Sequence, residues 1–472
     1  MNRQKKLKIV ESKRIFRKIV LTIKNPCAKL THVFQRKKMD NKEDNMKKAI
    51  SVLLAMGLTV SMVAGCGSDK GAASNADQTT GNQTAATETG ADNAQAEAGE
   101  GISASDIKVG VIYIGDENEG YTAAHMAGVD EMAENLGLSD DQIIEKTLIP
   151  EDESAYDAAV DLADQGCNII FATSFGHESY VIQAAGEYPD IQFCHATGYQ
   201  AASSGLSNMH NYFDSIYEAR YVSGVVAGMK LNEMIENGDI TAEEAKIGYV
   251  GAFPYAEVIS GFTSFYLGAR SVCESATMEV QYTNSWADMA GEAEVASQLI
   301  ANGCVLISQH ADTTGAPTAC ETAKVPCVGY NVDMTSVAPD AALTSPTNNW
   351  GVYYTHAVQC VLDGTPIETD WCQGFAEDAV RITPVNEAVA ADGTDAKVEE
   401  VEAALKDGSL HVFDTTTFTV DGGKTLEDAI AEGGDYAKYA DYVSDGYYHE
   451  SELASAPSFD IIIDGITSKT NK

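Results

Sequence analysis

Between Gly67 and Glu100 the sequence has no aromatic residue and no leucine, isoleucine, valine or methionine. Such a stretch cannot bury enough apolar surface to offset chain entropy, so it is expected to stay disordered. Basic residues are also scarce. Beyond residue 48 only 15 Lys+Arg stand against 66 Asp+Glu, a net charge of −51. A surface of that sign repels nucleic acid and anionic lipid, which excludes nucleic-acid partners and points to a neutral or cationic ligand. None of the ten cysteines forms a C-x-x-C pair, and none has metal-ligand spacing. The sequence also lacks a G-x-S-x-G elbow, a G-x-G-x-x-G turn after the first apolar run and a G-x-x-x-x-G-K-[ST] loop. No catalytic residue, metal or cofactor is therefore expected. Cys194, Cys304 and Cys327 sit inside apolar runs, as buried free thiols do.

What is present begins with a targeting pattern. Met46-Lys47-Lys48 is a short basic start, and Ala49 to Ala64 is an apolar run rich in small residues. Basic start, apolar middle and small-residue end describe a secretory signal peptide, too short for a good membrane span. Val63-Ala64-Gly65-Cys66 resembles the lipobox of bacterial lipoproteins. The resemblance implies cleavage before Cys66 and a diacylglyceryl group, with fatty acids such as palmitate, on that cysteine. Two acyl chains suffice for a stable anchor. Residues 1–48 hold 16 Lys+Arg against 4 Asp+Glu, which is either an unusually long basic region of the signal peptide or a leader upstream of a true start at Met46. We adopt the second reading: 1–45 a basic leader that is not translated, 46–65 the signal peptide, 66–104 a flexible lipid-anchored tether.

From Asp106 onward, apolar runs of strand length alternate with amphipathic stretches. "IKVGVIYI", "CNIIFAT", "IQFCHAT", "KIGYVGA", "MEVQYTN", "CVLISQH" and "VPCVGYN" read as buried strands, and "AYDAAVDLADQ", "IYEARYVSGVVAGMKL", "AEVISGFTSFYLGARSV" and "AEVASQLIANG" as helices. The alternation predicts an α/β fold with parallel sheets covered on both faces. The length beyond the tether predicts two lobes. Ligands of such sheets bind beyond the carboxyl ends of the strands. The candidates there are Tyr121, Ser174, Phe175, His195, Phe253, Trp286, His310, Asp312, Asn331 and Asp333. They are mostly aromatic and neutral polar residues, with few paired acids and bases. His195, His310 and Asp312 are single strand-end residues, short of the matched set a metal requires.

At these strand ends the sequence closely resembles the basic membrane protein (BMP) family, the purine-nucleoside-receptor type of ABC-transporter substrate-binding lipoproteins. The segments that carry the resemblance are "GYTAAH", "DLADQGCNIIFATSFGH", "EYPDIQFCHATGY", "YEARYVSGVVAG", "KIGYVGAFPYAEV", "TNSWAD", "LISQHADT", "VGYNVDM" and "LTSPTNNWGVYY", in order from Ile107 to Trp371. It implies a type I periplasmic-binding-protein-like fold, with two Rossmann-like lobes, three crossovers and the solute between them. The expected division is 105–212 for the first part of lobe one, 213–330 for lobe two, and 331–472 for the return to lobe one, the hinge and a C-terminal extension. Crossovers are expected near Asn211, Asn331 and Trp371. The resemblance adds Thr122, His125, Glu257 and Trp350 to the ligand-binding candidates. It also implies aromatics from both lobes, here Tyr121 and Phe253, stacked on a purine base. Tyr121 stands where the subgroup carries Trp, and Asn331 where the family often carries Asp. An amide donates as well as accepts, so ribose recognition at 331 differs.

The expected function is capture of a purine nucleoside or nucleobase at the extracytoplasmic face of the cell membrane, for delivery to separate ABC permease and ATPase subunits. Two alternatives remain at this point: a lipid-tethered sensor without transport, and an importer component for another small neutral solute. The anchoring expectation is tested by Cys66→Ala. That variant should lose metabolic fatty-acid label and accumulate as unprocessed precursor while the globular part still folds. Label retained in the variant would remove Cys66 as the anchor.

Overall fold

The computed structural model describes residues 101–469. The leader, signal peptide, Cys66 and most of the tether lie outside the described residues. Strands β1 (Val109–Ile112), β2 (Ile143–Lys146), β3 (Ile169–Ala172), β4 (Gln192–Ala196) and β5 (Met209–Asp214) come first. They are followed by β6 (Lys246–Gly251), β7 (Thr277–Tyr282), β8 (Leu306–Gln309) and β9 (Cys327–Val328). The remainder are β10 (Pro346–Asn348), β11 (Asp370–Gln373), β12 (Val380–Ile382), β13 (Val443–Ser444), β14 (Tyr447–Tyr448) and β15 (Ile466–Lys469). Between the early strands run helices α1 (Gly120–Leu136), α2 (Glu153–Asp164), α3 (Glu178–Glu187), α4 (Ala201–Ser204) and α5 (Ile216–Asn237). Helices α6 (Ala256–Val272), α7 (Met289–Ala301), α8 (Gly315–Ala323), α9 (Gly351–Asp363), α10 (Thr394–Lys406) and α11 (Leu426–Glu432) follow.

Two wholly parallel sheets result. The first has the order β11-β5-β4-β3-β1-β2 and the second β15-β7-β6-β8-β9. Every residue of β1 and β3 is buried, as a sheet covered by helices on both faces requires. The chain passes to the second sheet after β5, returns to the first at β11, and ends its described part in the second at β15. Strand order reverses beside β1 in one sheet and beside β6 in the other. Such switch points leave a crevice at the carboxyl ends of the strands.

Helices α5 and α6 cross at backbone contact. A Cβ on Gly224 would lie 2.0 Å from the Phe265 carbonyl oxygen, and one on Gly268 2.0 Å from that of Tyr221. Only glycine permits this approach. Both helices are buried over most of their length, so the amphipathic reading of these two runs does not hold: each is enclosed on more than one face and has no clean polar side. All eight cysteines in the described residues are free; seven are buried and Cys372 is half-buried. Among these residues no helix is long and apolar enough to cross a membrane.

Glu279 ties the C-terminal strand to its neighbours. Its buried carboxylate accepts hydrogen bonds from Lys246 on β6 (2.5 Å), Lys469 on β15 (2.6 Å), and Gln281 and Asn302 (both 2.9 Å). Burial alone would raise its pKa, but these four donors outweigh burial and hold it down to about 2. The stabilisation it gives is therefore complete above its ordinary value of 4.5 and lost as pH falls toward about 2. Glu279→Gln should cost about 3 kcal/mol at pH 7, the scale for breaking a buried ion pair. Urea unfolding at pH 7 and pH 3 checks this: the gap between wild type and variant should narrow at the lower pH.

Candidate functional site

A cleft whose empty space, counted out into the solvent at its mouth, is about 400 Å³ lies between the strand ends of the two sheets. The first sheet contributes Ile114, Tyr121, Thr173, Ser174, Phe175 and Thr197, and the second Glu257, Trp286, His310, Asp312 and Tyr330. Seven of the residues expected from the sequence thus meet here: Tyr121, Ser174, Phe175, Glu257, Trp286, His310 and Asp312.

Tyr121 is placed by the start of α1. The Glu119 carboxylate caps that helix, accepting from the backbone N–H groups of Tyr121 (2.6 Å) and Thr122 (2.9 Å). The Tyr121 hydroxyl donates to the Thr173 carbonyl (2.7 Å), which fixes the ring against the wall. His125 and Trp350 stand behind it. They stack on each other at 4.1 Å and 14°, and His125 presents its edge to Tyr121 at 4.4 Å. Both are fully buried. Burial pushes the His125 ring well below its ordinary pKa, and its Nδ1 shares a 2.6 Å hydrogen bond with the Tyr354 hydroxyl. Thr122 is buried too, accepting from the Gly115 N–H (3.2 Å) and so tying down the loop after β1.

His195 likewise sits behind the wall. Its Nε2 donates to the Ser174 carbonyl (2.8 Å), and burial lowers its pKa to about 4. Ser174 itself donates to Glu151 (2.7 Å). Asp333 is exposed and caps a short turn by accepting from the Thr335 N–H (2.8 Å). Asn331 has a left-handed backbone (φ 64°), and its Nδ2 donates to Asp312 Oδ1 (3.0 Å). An aspartate at 331 would set a second carboxylate against Asp312. The amide instead supplies the donor that Asp312 needs.

Phe253 lies outside the lining, where it packs against Tyr255 and Trp286. Tyr255 takes the position at the mouth instead. Tyr199 and Phe175 from the first lobe continue into Tyr255 and Phe253 from the second, with ring centroids 6.3, 5.8 and 5.1 Å apart and interplanar angles of 29°, 30° and 13°. This ladder crosses the cleft between Phe175 and Tyr255, and Tyr199, Phe175 and Tyr255 are exposed on its outer side. A second crossing contact is the Gly120 N–H donating to the Asp312 carbonyl (3.0 Å). The lobes therefore touch at two places beside the cavity.

The second-lobe wall is electrostatically unusual. Burial pushes the Glu257 carboxyl up to about 7 against the pull of Arg220, and raises that of Asp312 well above its ordinary range. His310 is held well below its usual pKa by burial and by Arg220. No lysine or arginine lines the cavity, and no cluster of His, Cys, Asp or Glu suited to a metal occurs among the described residues. The arrangement offers aromatic faces, hydroxyls and carboxyl groups to a ligand, and no free cation for a phosphate.

Four lining residues fell outside the final candidate set. Ile114 and Thr173 are the last residues of "IKVGVIYI" and "CNIIFAT", which were read as strand and not as site. Thr197 reaches the cavity because its backbone is left-handed (φ 65°). Tyr330 follows a strand of only two residues. It lies within "VPCVGYN", read as strand, and beside the candidate Asn331.

Comparison with known proteins agrees with the fold. Residues 107–410 match the family described as "ABC transporter substrate-binding protein PnrA-like". A purine-binding protein of Brucella abortus is 34% identical over 325 residues, covering 68% of this chain and 87% of the relative. A putative ABC transporter glucose-binding protein of Haloferax volcanii is 31% identical over 255 residues, covering 54% of this chain and 61% of the relative. The crystal structure of an ABC solute-binding protein from Aeropyrum pernix superposes with a TM-score of 0.54 at 17% identity, covering 69% of this chain and 96% of the other.

The ladder at the mouth yields a prediction that needs no ligand. An aromatic pair contributes roughly 0.5–1.5 kcal/mol beyond its burial. Phe175→Ala should therefore shift the ligand-free lobes toward an open form by about three- to tenfold in population, with little change in melting temperature. Energy transfer between dyes on the two lobes measures this, and an unchanged distance distribution would show that the stack does not hold the lobes.

Proposed function

The chain belongs to the family of PnrA-like ABC transporter substrate-binding proteins, and from that premise we propose that its cleft captures a purine, as nucleoside or nucleobase. Proteins of this family bind a small molecule outside the cytoplasm and work with a permease and an ATPase. The observation that carries the ligand assignment is that Tyr121 and Trp286, aromatic residues from the two lobes, line one cavity with Glu257 and Asp312. A flat heterocycle fills an aromatic slot, and its N–H groups or ribose hydroxyls donate to carboxylates. Glu257, Asp312, Ser174 and Tyr121 are the proposed ligand contacts. His125, Trp350, His195 and Asn331 support them from behind, and Phe253 braces Tyr255.

In this reading the tether from Cys66 holds the binding domain at the outer face of the membrane, and closure of the lobes follows ligand capture. The name of the Brucella abortus relative supports the purine class. The name of the Haloferax volcanii relative supports a sugar as the second reading, since sugars also stack on aromatic rings and donate to carboxylates.

Calorimetry with adenosine, inosine, guanosine, adenine, AMP and glucose decides between them. We expect the nucleosides or bases to bind, and AMP to bind at least about a hundredfold more weakly, because two carboxyls face the site with no free cation. Tyr121→Ala should weaken binding by about ten- to a hundredfold, on the scale of roughly 1–3 kcal/mol per stacked base. Glucose binding with every purine silent would overturn the assignment.

A further inference from the structure

Arg220 is fully buried on α5 and has no carboxylate within ion-pair distance among the described residues. Its Nη1 donates to the Gln309 carbonyl (2.6 Å), immediately before His310, and its guanidinium carbon lies 3.7 Å above the Tyr330 ring. The Nε and Nη2 donors have no hydrogen-bond partner. A buried guanidinium so placed is costly unless the field around it is compensated. The compensation comes from the pair of carboxyls on the cavity wall, Glu257 and Asp312, both of which feel its charge.

A hydrogen-bonded path fixes one of them. The Tyr249 hydroxyl lies 3.4 Å from His310 Nδ1, and His310 Nε2 lies 3.2 Å from Glu257 Oε1. With a cation beside it, His310 stays neutral. The network then assigns its single proton to Nε2, donated to Glu257, with Nδ1 accepting from Tyr249. Glu257 Oε1 is thereby occupied by a donor. Its side chain keeps 15% of its surface accessible, on the residue that lines the cavity.

We propose that Arg220 is the positioning residue that keeps Glu257 a hydrogen-bond acceptor toward the cavity, so that the cleft selects ligands presenting an N–H donor to that carboxylate. The choice of test ligands rests on the purine reading. Among purine ribosides, adenosine, inosine and guanosine carry N–H groups on the base edge, whereas unsubstituted purine riboside carries none.

The groups facing Glu257 are Arg220 from α5, His310 and Asp312 from the loop after β8, Tyr249 from β6, Tyr121 from α1 and Tyr330 after β9. Of these only Arg220 is a fixed cation. Burial sets the Glu257 midpoint at about 7 with Arg220 opposing the rise. Acceptor strength is therefore present above about pH 7 and lost as pH falls through it, and removal of Arg220 moves that midpoint upward.

The test is calorimetry of adenosine and purine riboside from pH 5.5 to 9, on wild type, Arg220→Met, Arg220→Lys and Glu257→Gln. A difference infrared titration of the Glu257 carboxylate runs alongside on the ligand-free proteins. Wild type should prefer adenosine by at least about tenfold at pH 8, with the preference fading below pH 7. In Arg220→Met the preference should fall severalfold and the infrared midpoint should rise, while Arg220→Lys restores both in part. Glu257→Gln, at a partly accessible position, should abolish the pH dependence even if Arg220→Met fails to fold. Purine riboside showing the same pH dependence as adenosine would overturn the proposal. So would an infrared midpoint unmoved in a folded Arg220→Met. If no purine binds wild type, the purine reading fails, and the infrared midpoint alone decides the role of Arg220.

Discussion

The backbone contact between α5 and α6 governs how the second lobe meets the first. Gly224 and Gly268 allow the helices to approach until a side chain on either would collide with a carbonyl. α5 is also the connection out of β5, so this contact fixes where the second sheet begins relative to the first. The same approach brings Arg220 on α5 beneath the loop that follows β8 and beside the start of α6, where Glu257 stands. A larger residue at either glycine would separate the guanidinium from both. The polar wall of the cavity is thus a consequence of helix packing one layer below it.

The cleft shows two ways of treating buried polarity. His125, His195 and Thr122 are enclosed by partners in the first lobe and serve the wall from behind. In the second lobe, the titratable groups Glu257, His310 and Asp312 gather at the cavity wall with the Arg220 cation behind them. The first lobe therefore supplies shape and the second supplies electrostatics. Asn331 fits this division: its amide meets the carboxylate of Asp312, where a further acid would have added repulsion.

Much of this was legible in the sequence. The apolar runs at β1, β3, β4, β6 and β8 announced parallel, doubly covered strands; listing their carboxyl ends named six of the eleven lining residues, and the family resemblance added Glu257. The misses have physical causes. β2 is a half-buried edge strand, "IIEK", with a mixed pattern that resembles no core strand. β15 pairs with residues far away in sequence and carries no local signal of its partner. Phe253 and Tyr255 lie two residues apart in the same turn, and strand-end reasoning cannot tell which ring faces the other lobe. Arg220 lies mid-motif in "YEARYVSGVVAG", where a charged residue in a helix reads as surface; only the two-glycine approach, a tertiary fact, buries it. Trp350 and His125 were named for chemistry and do the work of packing.

β15 has a consequence for how the protein is made. Synthesis runs from the amino to the carboxyl end, yet Lys469 meets Glu279 across a separation of 190 residues. Until residues 466–469 emerge, the second sheet has an open edge at β7 and Glu279 lacks one of its two lysines. The first sheet, by contrast, holds β1 to β5 within the first half of the described residues and needs only β11 to finish. The lobes therefore mature at different times, the first early and the second last. In that interval the unpaired edge of β7 is the vulnerable surface for misassociation and proteolysis, and loss of residues 466–469 would make it permanent.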